Sequence, residues 1–119
     1  MRKLGFFALL LLAGLWACEY ENIVPIVVEV PDNVKFSVDV APIFADVSCT
    51  VCHGGGTPPN LTQGEAREAL VSGGFVDIDN PVGSKLILMI NEGHGTSGDL
   101  SAEQKAYILK WITEGAKNN

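Results

Sequence analysis

The sequence predicts an all-α domain, on three observations. Apolar residues recur at helical spacing in four segments. Two of those segments open with the pattern of a capping box, and each is followed by a glycine that can close it. The loops between them are rich in Gly and Pro, and neither a β-hairpin signal nor an internal repeat occurs.

The 119-residue chain opens on a short basic start, Met1 to Lys3, followed by an apolar run from Leu4 to Trp16 with four consecutive leucines. That run is too short for an ordinary transmembrane helix but suits the core of a signal peptide. It ends in Leu15-Trp16-Ala17-Cys18, which resembles the bacterial lipobox: an apolar residue, a variable one, a small one, then the cysteine to be lipidated. The resemblance implies cleavage before Cys18 and acylation of that residue, and several acyl chains anchor stably where one is marginal. The competing reading is an uncleaved helix with an incidental cysteine. The expected organisation is a signal peptide at 1–17, a lipid-anchored tether at 18–33 and one domain at 34–119. Pro25 and Pro31 disfavour a helix in the tether, and the β-branched run Ile23 to Val30 could lie extended against the domain, although a plain spacer is the simpler expectation.

Within the domain, Val40, Ile43, Phe44 and Val47 share one face of a helix expected over roughly Asp39 to Val47, with Ser37 or Asp39 as cap and Pro42 in the first turn. Thr62-Gln63-Gly64-Glu65 is a capping-box pattern for a helix reaching about Val71, with Ala66, Ala69 and Leu70 inward and Gly73-Gly74 as terminator. Asn80-Pro81 opens a helix that carries Leu86, Ile87 and Ile90 inward and stops at Gly93. Ser101-Ala102-Glu103-Gln104 is a second capping box, and the helix it opens places Tyr107 or Ile108, Trp111 and Ile112 on one side before Gly115. These stripes are core faces and carry no chemistry of their own.

The chemistry lies in Cys49-Thr50-Val51-Cys52-His53, a C-x-x-C-H motif. Two thiols at this spacing can add across the two vinyl groups of haem, and the adjacent histidine can then reach the iron from the same side. A thioredoxin-like redox pair would follow a strand and open a helix in a βαβ unit, whereas this motif follows a helix and runs into Gly54-Gly55-Gly56. A structural zinc site would want four ligands, and beside these three only His94 remains once Cys18 is lipidated. Asp77 and Asp79 lack the dense oxygen-ligand pattern of a calcium loop, and no catalytic nucleophile motif occurs.

Phe36 to Phe44 followed by Cys49 to Gly56 resembles the opening of small bacterial cytochrome c domains, of the planctomycete type and of related Bacteroidetes lipoproteins. Pro59-Asn60-Leu61-Thr62, Leu70 to Gly74, Ser84-Lys85-Leu86 and Trp111 to Ala116 extend the resemblance over about Val34 to Asn119. It implies a c-type cytochrome fold in which the N- and C-terminal helices pack across a covalently bound haem, Val40, Ile43 and Phe44 meeting Ile108, Trp111 and Ile112. It implies one haem c held by Cys49 and Cys52, iron ligation by His53, and a backbone carbonyl near Pro58 or Pro59 that orients the His53 ring.

For the second axial ligand the candidates are Met89 and His94. A helical wheel sets Met89 about 107° from the mean of Leu86, Ile87 and Ile90, while His94 lies in the flexible Gly93-His94-Gly95, a region from which the resembling family often supplies its distal ligand. The expected ligands are therefore His53 and His94, and the expected function is one-electron transfer with no catalytic residue. A haem peroxidase, a sensor or a haem-containing interaction module are the alternatives.

The formal charge is −6, and losing the two positive charges of Arg2 and Lys3 leaves −8. That argues against nucleic acid and against adsorption to anionic headgroups, and favours a basic or dipolar redox partner protein. The expected location is the bacterial cell envelope, on the periplasmic side or the outer-membrane surface, with the membrane contact made through lipid on Cys18.

Overall fold

The computed structural model describes residues 28–119. The expected signal segment, Cys18 and the tether up to residue 27 lie outside the described residues. Among the described residues the chain is helical, with no strand, and no helix is long and apolar enough to cross a membrane. The helices are α1 (Ala41–Asp46), α2 (Cys49–Cys52), α3 (Ala66–Ser72), α4 (Lys85–Glu92) and α5 (Ala102–Thr113). A π-helical turn, Phe36–Val40, leads into α1, and 3₁₀ turns occupy Pro81–Gly83 and Gly95–Asp99.

The first helical segment starts earlier than the apolar spacing suggested. Just ahead of Pro42, which has no N–H to donate, the Ala41 amide reaches five residues back to the Phe36 carbonyl. Neither Ser37 nor Asp39 sits at the cap, which is Lys35. Asp39 instead reaches back to accept from the Lys35 amide at 2.7 Å.

The expected capping box at Thr62 does not form. Gly64 adopts φ +97°, the Thr62 hydroxyl donates to Asn60 Oδ1 at 2.8 Å, and α3 begins only at Ala66 without a side-chain cap. The helix expected from Pro81 is split. Ser84 takes ψ 134°, ends the 3₁₀ turn and restarts the chain as α4. The capping box of α5 forms as expected: Ser101 Oγ accepts from the Gln104 amide at 3.1 Å and Gln104 Oε1 from the Ser101 amide at 2.9 Å. Gly93 and Gly115, both at positive φ, close α4 and α5.

One buried cluster gathers Val34, Phe36, Val40, Ile43 and Phe44 with Leu70, Ile87, Ile90, Ile108, Trp111 and Ile112. The last helix does meet the first helical segment, chiefly through the Phe36–Val40 turn rather than α1 itself. Phe36 and Trp111 stack there with ring centres 4.7 Å apart at 42°, an aromatic pair contributing about 0.5–1.5 kcal/mol beyond its buried area.

The segment leading into the domain is not a plain spacer over its last residues. Glu114 accepts from the Asn33 and Val34 amides, each at 2.9 Å, and Lys110 binds Asp32 at 2.7 Å. Asn119 completes this strap: its Oδ1 accepts from the Phe36 amide and its Nδ2 donates to the Val34 carbonyl.

Candidate functional site

The motif occupies α2 and the residue after it. Ser48, at φ 62°, makes the sharp turn between α1 and α2. Four helical residues then place Cys49 and Cys52 one turn apart on the same side, and both are free thiols. Gly54 is required directly behind them, because a Cβ there would come within 2.7 Å of the Thr50 carbonyl oxygen. The loop 54–61 then folds back on His53. The Leu61 amide donates to the His53 carbonyl at 2.7 Å, and His53 Nδ1 lies 3.1 Å from both the Thr57 and the Pro59 carbonyl oxygens. The carbonyl expected near Pro58 or Pro59 is thus that of Pro59, joined by Thr57.

Both neighbours of Nδ1 are acceptors only, so Nδ1 carries the ring proton. The lone pair is therefore on Nε2, the tautomer a metal ligand needs. Burial, first of all, pushes the Cys49 thiol up, against a smaller lowering by Thr96 Oγ1 at 4.0 Å. An activated redox thiol needs the opposite shift.

α2, the loop 54–61, α4 and the Gly95–Asp99 turn enclose a cavity of about 560 Å³, within the range of about 300–1,000 Å³ common to small-molecule and cofactor sites. Phe44, Leu61, Phe75, Leu86, Ile90 and Leu100 supply its apolar walls. Cys49, Cys52 and His53 line one side, and Met89 and His94 also reach it. The wheel argument against Met89 therefore does not separate the two distal candidates: Met89 is half-buried on the wall, and His94 is exposed at the mouth.

The His53 and His94 ring centres are 6.2 Å apart, their planes 46° from one another. A histidine nitrogen binds a first-row metal at about 2.0 Å, which puts the ring centre about 3.1 Å from the metal. Two rings facing each other across one ion would then have centres about 6.3 Å apart, and two rings on a tetrahedral ion about 5.1 Å. The observed centre-to-centre spacing is close to the first of these values. Among the described residues no three His, Cys, Asp or Glu side chains gather as a metal cluster, so a four-ligand zinc site has no basis there. Cys49, Cys52 and His53 on one side of an apolar cavity are residue types that could hold a flat apolar group carrying a metal.

Lys85 and Thr96 also line the cavity, although the sequence gives neither a role at the site. Thr96 lies two residues after His94, and Lys85 falls inside the helix expected from Pro81. No family model, no curated protein and no solved structure matches the chain.

Proposed function

We propose that the chain is a lipid-anchored, single-haem c-type cytochrome that carries one electron at a time between partner proteins in the bacterial envelope. The observation that carries this reading is the convergence of the C-x-x-C-H motif and His94 on one apolar cavity, with the histidine rings spaced as for opposed ligation. Cys49 and Cys52 would hold the haem through thioethers, and His53 would ligate its iron. A haem held there would supply a ferrous–ferric couple for one-electron transfer. The chain's own part is to fix the His53 ring through Thr57 and Pro59, to keep the proton on Nδ1, and to exclude water with the apolar walls. His94 is the distal ligand in this reading, and the low potential of bis-histidine haem relative to His/Met haem follows from it.

The test uses protein made with a haem-attachment system. Mass spectrometry should show one haem retained through acid–acetone extraction, and an unmodified mature chain would refute the reading. His94→Ala should give a high-spin or readily ligand-binding haem, and Met89→Leu an unchanged spectrum. A methionine-to-iron charge-transfer band that Met89→Leu abolishes would move the distal ligand to Met89.

A second reading, a peroxidase or ligand sensor, draws on the exposed position of His94, which would make that ligand displaceable. Rapid binding of cyanide or peroxide to the wild-type haem would favour it. The anchor is tested by fractionation: Cys18→Ser should be soluble or unprocessed, and a processed Ser variant in the membrane fraction would remove the lipoprotein part.

A further inference from the structure

The lining of the cavity is one-sided in charge. Among the described residues it includes no aspartate, glutamate or arginine, and Lys85 is its one fully charged side chain. This is a cation on the wall of an apolar cavity in a chain of net charge −6. Its ammonium is held over the ring of Phe75, 4.7 Å from the ring centre, and Phe75 lines the same cavity. Among the described residues no carboxylate lies within 4.0 Å of that ammonium. Lys85 is also the first residue of α4, where the positive end of the helix dipole disfavours a cation by about 0.3–1 kcal/mol. Helix electrostatics therefore do not favour a lysine here, and among the described residues no carboxylate pairs with it. Lys85 is exposed, so its ammonium stands in water at the rim of the cavity, where an anionic group on the cavity's occupant can reach it.

We propose that Lys85, steadied by Phe75, pairs with a carboxylate of the ligand that fills this cavity. This rests on the haem reading, in which that carboxylate is a haem propionate. Ion pairing favours the ionised carboxylate, and an opposite charge within about 4–6 Å lowers a carboxyl pKa by about 1–3 units. The ferric iron, with one more positive charge than the ferrous, also lowers the propionate pKa. With haem bound, reduction would take up a proton between the ferric and ferrous values, so the potential would fall with pH inside that window and be flat outside it. Lys85 sets where the window lies. Its role is to position and neutralise the ligand, and it does not touch the iron.

The experiment measures reduction potential against pH for haem-loaded full-length protein carrying Lys85→Gln, Lys85→Arg or, as a control off the cavity, Lys105→Gln. Lys85→Gln should move the sloping window upward by about one pH unit. Lys85→Arg should return it toward the wild-type position, and Lys105→Gln should leave it in place. The ligand-field spectrum of the iron should be the same in all four proteins. A Lys85→Gln profile that follows the wild type, flat or sloped, overturns the pairing while leaving the haem reading intact. An equal shift from Lys105→Gln also overturns it, since net charge alone would then account for the effect. A wild-type chain that takes up no haem overturns the haem reading itself and this inference with it.

Discussion

The two ends of the domain are held by different means. At the strapped end, Phe36 and Val40 close on Ile108, Trp111 and Ile112, each fully or almost fully buried, and the backbone amides of Asn33, Val34, Phe36 and Ser37 find partners on Glu114 and Asn119. At the cavity end, the apolar faces of Phe44, Leu61, Leu86 and Leu100 turn toward about 560 Å³ of space, and the residues around it include an exposed cysteine and an exposed histidine. Apolar walls of this extent leave dispersion contacts unmade. The difference teaches that the strapped end is tied by its own hydrogen bonds and buried side chains, while the cavity end presents apolar walls to a ligand-sized space.

The largest expected effect tests whether the strapped end stands apart from the cavity end. Trp111 is fully buried, donates Nε1–H to the Lys117 carbonyl at 3.0 Å, and does not line the cavity. Trp111→Ala should cost the haem-loaded protein about 3–5 kcal/mol, read by thermal melting, while its visible spectrum at low temperature stays that of the wild type. A changed spectrum in the folded variant would join the two ends into one cooperative unit.

The smallest effect sharpens the account of the strap. The hydrogen bond from Lys110, and then its charge, hold the Asp32 carboxyl below the ordinary carboxylate range, and Asp32 in turn raises Lys110. The carboxylate's contribution is present at neutral pH and fades as pH falls below about 4, through the lowered folded value. The lysine's contribution is present up to the ordinary lysine range and fades as pH rises through the raised folded value. The pair is solvent-exposed, so Asp32→Asn should lower Tm only slightly between about pH 5 and 9, and less at high salt. A difference that persists at pH 2 or in 1 M salt would mean that packing, not charge, holds Asp32.

The sequence made legible what is local and chemically unusual. The Ser101–Gln104 box, the stops at Gly93 and Gly115, and the inward faces of Leu86, Ile87 and Ile90 all rest on interactions within a few residues, and all are present. Patterns with a nearby competitor misled. Thr62 has the residue type of a cap, but Asn60 two positions earlier engages its hydroxyl and Gly64 bends the would-be first turn. Ser84 looked like helix interior until Asp77, seven residues away, engaged its hydroxyl. For the site, the motif itself was readable. The approach of His94 to His53, and the place of Met89 and Lys85 on one wall, depend on how α4 lies against α2 and the loop 54–61, and no periodicity encodes that.

Ser84 has one more consequence. Its fully buried hydroxyl accepts from the Asp77 amide at 2.9 Å and donates to the Asp77 carbonyl at 3.2 Å, while the Leu86 amide donates to the Phe75 carbonyl at 2.9 Å and the Phe75 amide to Leu70. Phe75-Val76-Asp77-Ile78 has the composition of a β-strand, with Ile78 exposed. Left bare, such a segment is a template onto which another chain can add an edge-to-edge strand. Here a serine and two helix ends occupy the backbone groups of Phe75 and Asp77, so one of the two edges of this segment is closed to a strand from a second molecule.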